Sequence, residues 1–250
     1  MKFTHVSIIM SVYNDEFNLE NAIRSIINQT HKNFEFIIIN DGSNENTKKK
    51  LLSFKKNKRI RIFHNKKNFG LAYSLNKAIK KSKYDLIARM DSDDISYKNR
   101  IKYQLNFLKK YPKIDVLGSD AVIVEDKKIK YSNVKKTNKS IKKNLLYFNQ
   151  FFHSSVIFKR SIFNKIGFYD PSFKKCQDYD LWLRGRKKLY YSNIKKRLIK
   201  YNSKSEYKSM TLFYTIMAIL KNVSFSKELI MAILGITYNL LIFLNKNLLK

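Results

Sequence analysis

Apolar runs of strand length alternate with helix-length amphipathic stretches through the first half of the chain. VSIIMSV (Val6–Val12) predicts a first strand, Leu19–Asn28 a helix, FEFIIIN (Phe34–Asn40) a second strand, and Asn46–Lys56 a Lys-rich helix. Ile60–Phe63 and Tyr84–Ala88 predict further strands around a helical Leu71–Ile79, and Lys98–Tyr111 predicts a helix stopped by Pro112. Val116–Val124 is a later apolar run. Such alternation predicts an α/β fold, a mostly parallel sheet with helices on both faces. Ligands of an open α/β sheet gather at the C-terminal ends of its strands.

Beyond Val124 the pattern loosens into a basic stretch, KKIKYSNVKKTNKSIKK, before order returns near Phe148. No Pro- or Gly-rich break marks it, which predicts a second lobe rather than a linker. Met210–Leu220 and Leu229–Leu244 are apolar almost all round, with Lys221, Lys227, Lys246 and Lys250 at their ends. At roughly 16 residues the second run falls between a core helix and a full span of about 20, so an apolar helical tail forming an interfacial or re-entrant hairpin is expected. The chain then divides into residues 1–125, 126–205 and 206–250. Val6–Val12 is too short, and too soon followed by Asn14-Asp15-Glu16, to read as a signal sequence or a span.

The 250 residues are 44% apolar and 14% aromatic, enough to fill a core. The formal net charge is +32, and a surface that basic attracts polyanions: nucleic acid, an anionic membrane face or nucleotide phosphates. Lys is spread along the whole chain among Asn and Ile, so the charge alone favours none of these. A single cysteine, Cys176, excludes an internal disulfide framework and a Cys-based zinc cage, and fits a reducing cytoplasm.

Against this basic background RMDSDD sets Asp91, Asp93 and Asp94 almost side by side after the strand Tyr84–Ala88. Like charges that close resist ionising together unless a cation shares the site. Two carboxylates spaced Asp-X-Asp can reach one divalent cation, and hard oxygen ligands suit Mg²⁺ or Mn²⁺. The plainer alternative is a helix N-cap cluster, with Asp94 favouring the N-terminus of the helix that follows.

Three other polar loops follow strands: SVYND (Ser11–Asp15), NDGSNENT (Asn40–Thr47) and NKKNFGLA (Asn65–Ala72). Together with RMDSDD and CQDYDLWLR (Cys176–Arg184), they resemble, in order and spacing, family 2 glycosyltransferases of the GT-A fold over roughly residues 6 to 200. The resemblance implies that Asp93 ligates the metal and that Asp91 holds the ribose or a metal-bound water. It implies that Asp41 accepts a hydrogen bond from the nucleobase and that Tyr13 stacks on the base, although Ser11-Val12 stand where a proline is usual. Gly70 begins a helix whose amides and dipole favour the pyrophosphate, with Lys66 or Lys67 adding charge. Arg89 is a phosphate contact or an internal partner of the acids, and Arg100 and Gln104 match the family pattern with a structural role. Asp178 matches the catalytic base, with Gln177 in place of the usual Glu. Trp182 reads as core or pocket wall, His153 as a core residue or a neighbour of the metal or acceptor, and Asp170 as a turn former.

These readings imply a metal-dependent (Mn²⁺ or Mg²⁺), inverting glycosyltransferase. It would move a sugar from a nucleoside diphosphate, UDP by resemblance, to a glycan or lipid-linked acceptor in surface polysaccharide or lipopolysaccharide synthesis. The basic surface and apolar tail imply a cytoplasmic protein at the inner face of the cell membrane, held to an anionic membrane surface. Two alternatives compete: a non-catalytic nucleotide-sugar-binding relative, suggested by Gln177, and a basic nucleic-acid-binding protein. No nucleic-acid-binding motif is present, so no nucleic-acid partner is expected.

Overall fold

The computed structural model describes residues 4–203, 209–223 and 228–248. In chain order the elements are β1 (Val6–Val12), α1 (Leu19–Ile27), β2 (Phe34–Asn40), α2 (Glu45–Leu52), β3 (Ile60–His64), α3 (Leu71–Lys81), β4 (Leu86–Arg89), β5 (Ile95–Ser96), α4 (Arg100–Lys110), β6 (Val116–Glu125) and β7 (Lys128–Tyr131). Then come α5 (Asn138–Asn144), a 3₁₀ turn (His153–Ser155), β8 (Ile157–Lys159), α6 (Ile162–Ile166), α7 (Gln177–Gly185), β9 (Tyr191–Ser203), α8 (Ser209–Lys221) and α9 (Glu228–Leu248).

One sheet, ordered β3-β2-β1-β4-β8-β6-β9-β5 with β7 beside β6, runs through the molecule. β1 pairs in parallel with β2, from Val6↔Phe34 to Val12↔Asn40, and with β4 on its other side. Its continuous apolar run follows from this place, because a parallel strand covered on both faces has no solvent side to mark with polar residues. Successive side chains feed two cores. Ile9, Ile37, Ile39 and Ile87 join Leu75 of α3 and Trp182 of α7 on one face. Ile8, Met10, Phe36, Ile38 and Ala88 join Ile23 of α1 and Ile101 and Leu105 of α4 on the other. The expected helices on both faces are therefore present.

The parallel order does not extend across the whole sheet. β8 is antiparallel to both β4 and β6, and β5 to β9, so the sheet is mixed. Periodicity could not register β5 and β8, which are two and three residues long. β7 lies in the basic stretch, fully exposed, and closes a hairpin with β6 through Asp126 and Lys127, both at positive φ (48° and 66°). Two such residues make the turn whose twist suits a two-residue hairpin. β9 alternates only weakly because its Lys-rich middle is solvent-exposed.

The tail forms two helices, and the second runs 21 residues rather than the expected 16, because the helix takes in Glu228 before the apolar run and continues past Leu244 through Asn245 to Leu248. Among the described residues, this helix alone is long and apolar enough to cross a membrane. Ile230, Ile233, Leu234 and Leu241 are exposed on it, and Phe213 and Leu220 on α8. The expected boundary at residues 205–206 and the flanking Lys227 and Lys250 lie outside the described residues.

Arg100 and Gln104 are fully buried and serve the backbone. Arg100 donates from Nη2 to the Arg89 carbonyl (2.8 Å) and from Nε to Gln104 Oε1 (3.1 Å), while Gln104 Nε2 donates to the Ser155 carbonyl (2.7 Å). Burial lowers the Arg100 pKa to about 9, which leaves it charged at neutral pH. The end of β4 and the 3₁₀ turn beside it are thus tied to α4. Arg100→Leu should cost about 3 kcal/mol of unfolding free energy, since it strands buried carbonyls and an amide. Urea denaturation of wild type and variant measures this, and a cost under about 1 kcal/mol would contradict the tether.

Candidate functional site

The C-terminal ends of β1, β2 and β4 open into a cleft of about 570 Å³. Tyr13, Asp41, Gly70, Asp91 and Asp93 line it, brought together from four loops. Tyr13 follows β1 directly, is half exposed and lines the cleft. Asn14 next to it adopts a left-handed conformation (φ 47°). Its amide donates to Ser43 Oγ (3.2 Å) and its side-chain oxygen accepts from the Asn44 amide (2.8 Å), which joins the loop after β1 to the loop after β2.

Gly42 turns the loop after β2 at φ 73°, and a Cβ there would stand 2.3 Å from the Lys67 carbonyl carbon. No other residue combines that conformation with that approach. The turn buries the Asp41 carboxylate, which accepts from Asn65 Nδ2 (2.6 Å) and from the amides of Phe69 (3.1 Å) and Gly70 (2.9 Å). The anion at the start of α3 is therefore Asp41 itself. The Gly70 amide also reaches Asn68 Oδ1 (2.8 Å), so it is engaged within the chain rather than open to a pyrophosphate. Lys175 lines the cleft, whereas Lys66 and Lys67 do not; Lys67 lies over the Phe69 ring at 5.5 Å.

The three acids do not cap a helix. α4 begins at Arg100 behind Asn99, and Asp94 turns inward instead, where it is fully buried and accepts from the Asn202 amide of β9 (2.8 Å). That corrects the helix-start reading of Asp94. Burial, and then the charges of Asp91 and Asp93, raise its pKa to about 8. Ser154 Oγ donates to Asp91 Oδ2 (2.6 Å) and also touches Asp94 Oδ2. One hydroxyl has one proton to give. Asp94, whose pKa is raised, is the acid placed to carry the proton that this shared contact requires. Asp93 is pushed up to about 6 by burial and then by Asp91.

Arg89 is wholly buried and forms an ion pair with Asp91, the internal-partner alternative of the two expected. It also lowers the pKa of His153, after the larger effect of burial, so the imidazole is neutral. His153 Nε2 lies 2.9 Å from the Tyr169 hydroxyl. Burial keeps that hydroxyl protonated, and the direction of the bond follows the imidazole tautomer. Asp178, second residue of α7, accepts from Asn149 Nδ2 (2.7 Å). Burial raises its pKa, and the Asn149 bond and the Tyr179 amide oppose the rise. The Asp91 charge contributes to the same shift, which puts the two carboxylates in one electrostatic neighbourhood.

Trp182 is core, packed against Phe151 at 5.5 Å between ring centres. Asp170 forms a turn through the Ser172 amide (2.9 Å) and pairs with Lys221 of α8 (2.6 Å). Ser154, Asn149, Tyr169 and Asn202 escaped the sequence reading. FFHSS carried a signal for Ser154, the Ser after the singled-out His, and GFYDPSF (Gly167–Phe173), which resembles the family's acceptor-side loop, carried one for Tyr169.

Among the described residues no group of three or more His, Cys, Asp or Glu forms a ready metal cage. Asp91 and Asp93 nevertheless fit a divalent cation. They are two carboxylates on one cleft, and burial and then the charge of Asp91 raise Asp93, the situation that a bound cation relieves.

Residues 7–167 match the family described as Glycosyl transferase family 2. The chain is 32% identical to the O-antigen biosynthesis glycosyltransferase WbnJ of Escherichia coli over 222 residues, 84% of each chain. It spans 28% to 63% of the length of four other curated relatives that it matches. Among solved structures, S. aureus TarS in complex with UDP-GlcNAc is similar with a TM-score of 0.70 at 19% identity, covering 96% of this chain and 72% of that one. The mannosyltransferase PcManGT of Pyrobaculum calidifontis, in complex with GDP-Man and Mn²⁺, gives 0.69 at 12% identity over the same shares.

The acid cluster makes stability depend on pH. Asp93 and Asp94 titrate at about 6 and about 8 in the folded chain, above the 3.8 of a free Asp. The fold therefore binds more protons than the unfolded chain, and their contribution is full below about pH 4 and lost as pH rises through 6 and 8. Thermal melts should show Asp94→Asn gaining on wild type from pH 5 to pH 8.5, and Mn²⁺ reducing the gap. A gap that is constant with pH would contradict the raised values.

Proposed function

The chain belongs to glycosyl transferase family 2, and from that membership we propose that it is a metal-dependent, inverting transferase. It moves a sugar from a nucleoside diphosphate to a hydroxyl of a glycan or lipid-linked acceptor. The observation that carries this reading is the convergence of Tyr13, Asp41, Asp91 and Asp93 on one cleft at the sheet's C-terminal edge. Asp178 is near enough to feel the Asp91 charge.

Residues 1–125 form the donor half. Tyr13 stacks on the nucleobase, and Asp41 shapes the base side of the cleft by holding the Phe69 and Gly70 amides. UDP is the proposed nucleotide, supported by the UDP-GlcNAc complex of the TarS neighbour. Asp93 and Asp91 would hold Mn²⁺ or Mg²⁺, which when bound neutralises charge on the leaving diphosphate. Arg89 pairs with Asp91 and orients it.

Residues 126–205 form the acceptor half, which supplies Asp178. Its carboxylate takes the acceptor proton as the acceptor oxygen forms a bond to the anomeric carbon. The bond from that carbon to the diphosphate oxygen breaks, and its electron pair leaves with the nucleotide. Attack from the face opposite the leaving group inverts the centre. A carboxylate raised by burial is a stronger base than a free one and suits this step.

Residues 206–250 seat the enzyme at the inner face of the membrane. Exposed Ile230, Ile233, Leu234 and Leu241 enter the leaflet, and surface Lys and Arg add about 1 kcal/mol each near anionic lipid. The name of the WbnJ relative supports a role in surface polysaccharide synthesis.

Calorimetry with UDP, GDP and dTDP, with and without Mn²⁺, tests the donor half. Metal-dependent UDP binding should vanish in Asp93→Ala, and a folded protein that binds no nucleotide would overturn the reading. Asp178→Asn should keep donor binding while transfer falls by about 10²- to 10⁴-fold, and undiminished transfer would favour a different base. Cosedimentation with anionic vesicles should be lost when Ile233 and Leu241 are both changed to Glu, at unchanged melting temperature.

A further inference from the structure

Among the described residues the side chain that hydrogen-bonds Asp178 is Asn149, and that amide has no freedom in how it faces the carboxylate. Asn149 Oδ1 accepts from the Phe151 amide (3.1 Å), so the NH₂ end is the end left for Asp178 Oδ2, at 2.7 Å. The turn that carries Asn149 is itself held at several points. Tyr179 Oη donates to the Leu145 carbonyl (2.6 Å), Gln150 Nε2 to the Phe148 carbonyl (3.0 Å), and Asn193 Nδ2 to the Gln150 carbonyl (3.1 Å).

The remaining support comes from the apolar tail. Asn239 Nδ2 of α9 donates to the Tyr147 carbonyl (2.5 Å), and the Phe148 and Tyr238 rings meet at 5.8 Å. Gly235 lets α9 lie against the turn, since a Cβ there would stand 2.0 Å from the Leu146 oxygen. An apolar helix that only anchored the chain would need neither a glycine nor a buried Asn at these positions.

We propose that Asn149 is the positioning residue of Asp178, fixing one carboxylate oxygen so that the remaining lone pairs face the acceptor hydroxyl, and that α9 holds Asn149 in place through residues 146–148. This rests on the reading of Asp178 as base. The Tyr179 amide at the start of α7 also donates to the carboxylate, as a fixed part of its own helix, and the remaining groups act through charge. Arg89 of β4 favours its ionised form and Asp91 opposes it, while Tyr169, Cys176 and Tyr201 face it in their protonated forms. None of them replaces a directed donor.

The test uses the full chain with ¹³C-carboxyl-labelled Asp, in which the Asp178 signal is identified by its loss in Asp178→Asn. Asn149→Ala should raise the Asp178 titration midpoint by about one pH unit, and Asn149→Gln, which keeps an amide, by less. Gly235→Leu, or the milder Asn239→Ala, should raise it in the same direction with Asn149 intact. An unchanged midpoint in folded Asn149→Ala overturns the positioning role. A shift there with none in either α9 variant overturns the part given to the tail. Should Asp178→Asn leave sugar transfer undiminished while the Asn149 shifts persist, the base reading fails and the Asn149–Asp178 coupling stands.

Discussion

Asp91, Asp93 and Asp94 sit within electrostatic reach of one another at the end of a buried strand, and the surrounding polar structure answers that repulsion. A carboxylate removed from water and set beside two others is held only if a proton, a counter-charge or a cation offsets it. The chain itself supplies the first two. Asp94 keeps its proton well into neutral pH, and Asp91 has buried Arg89. Asp93 faces the cleft, where a divalent ion can join it. Arg89 is in turn affordable only because Arg100 and Gln104 fix the backbone around it from α4.

The same constraint joins the two halves of the sheet. Ser154 and Asn202, which hold Asp91 and Asp94, come from the 3₁₀ turn and from β9, beyond the parallel strands that carry the acids. The long β6–β9 pairing and the antiparallel β8 bring those elements beside β4. Groups from the two halves thereby share one network, which includes neutral His153 and its partner Tyr169. The tail completes it from outside: α8 pairs with Asp170 through Lys221, and α9 lies on the turn before Asn149.

Much of this was legible in the chain. The parallel strands could be read from their uninterrupted apolar runs, and the cleft residues from loops of fixed local spacing, because β-strand termini deliver their loops to one edge whatever the rest of the chain does. The role of Asp94 stayed open between cap and cluster member because its sequence context, an acid shortly before a helix, is also that of a cap. Its inward turn depends on Asn202, 108 residues away. Gly70 was read correctly as a helix start, but the anion it meets, Asp41, comes from another loop.

The sequence by itself determined the parallel strands and their helices, the ligand edge and the acids on it, since each follows from side-chain period or from neighbours a few residues apart. Only the tertiary structure decided which protons the acids keep, that Arg89 is an internal partner, and that Asn149 is set against Asp178 by an apolar helix. Those outcomes depend on burial and on hydrogen bonds between residues far apart in the chain. No local pattern encodes them, because desolvation and long-range contact exist only once the chain has packed.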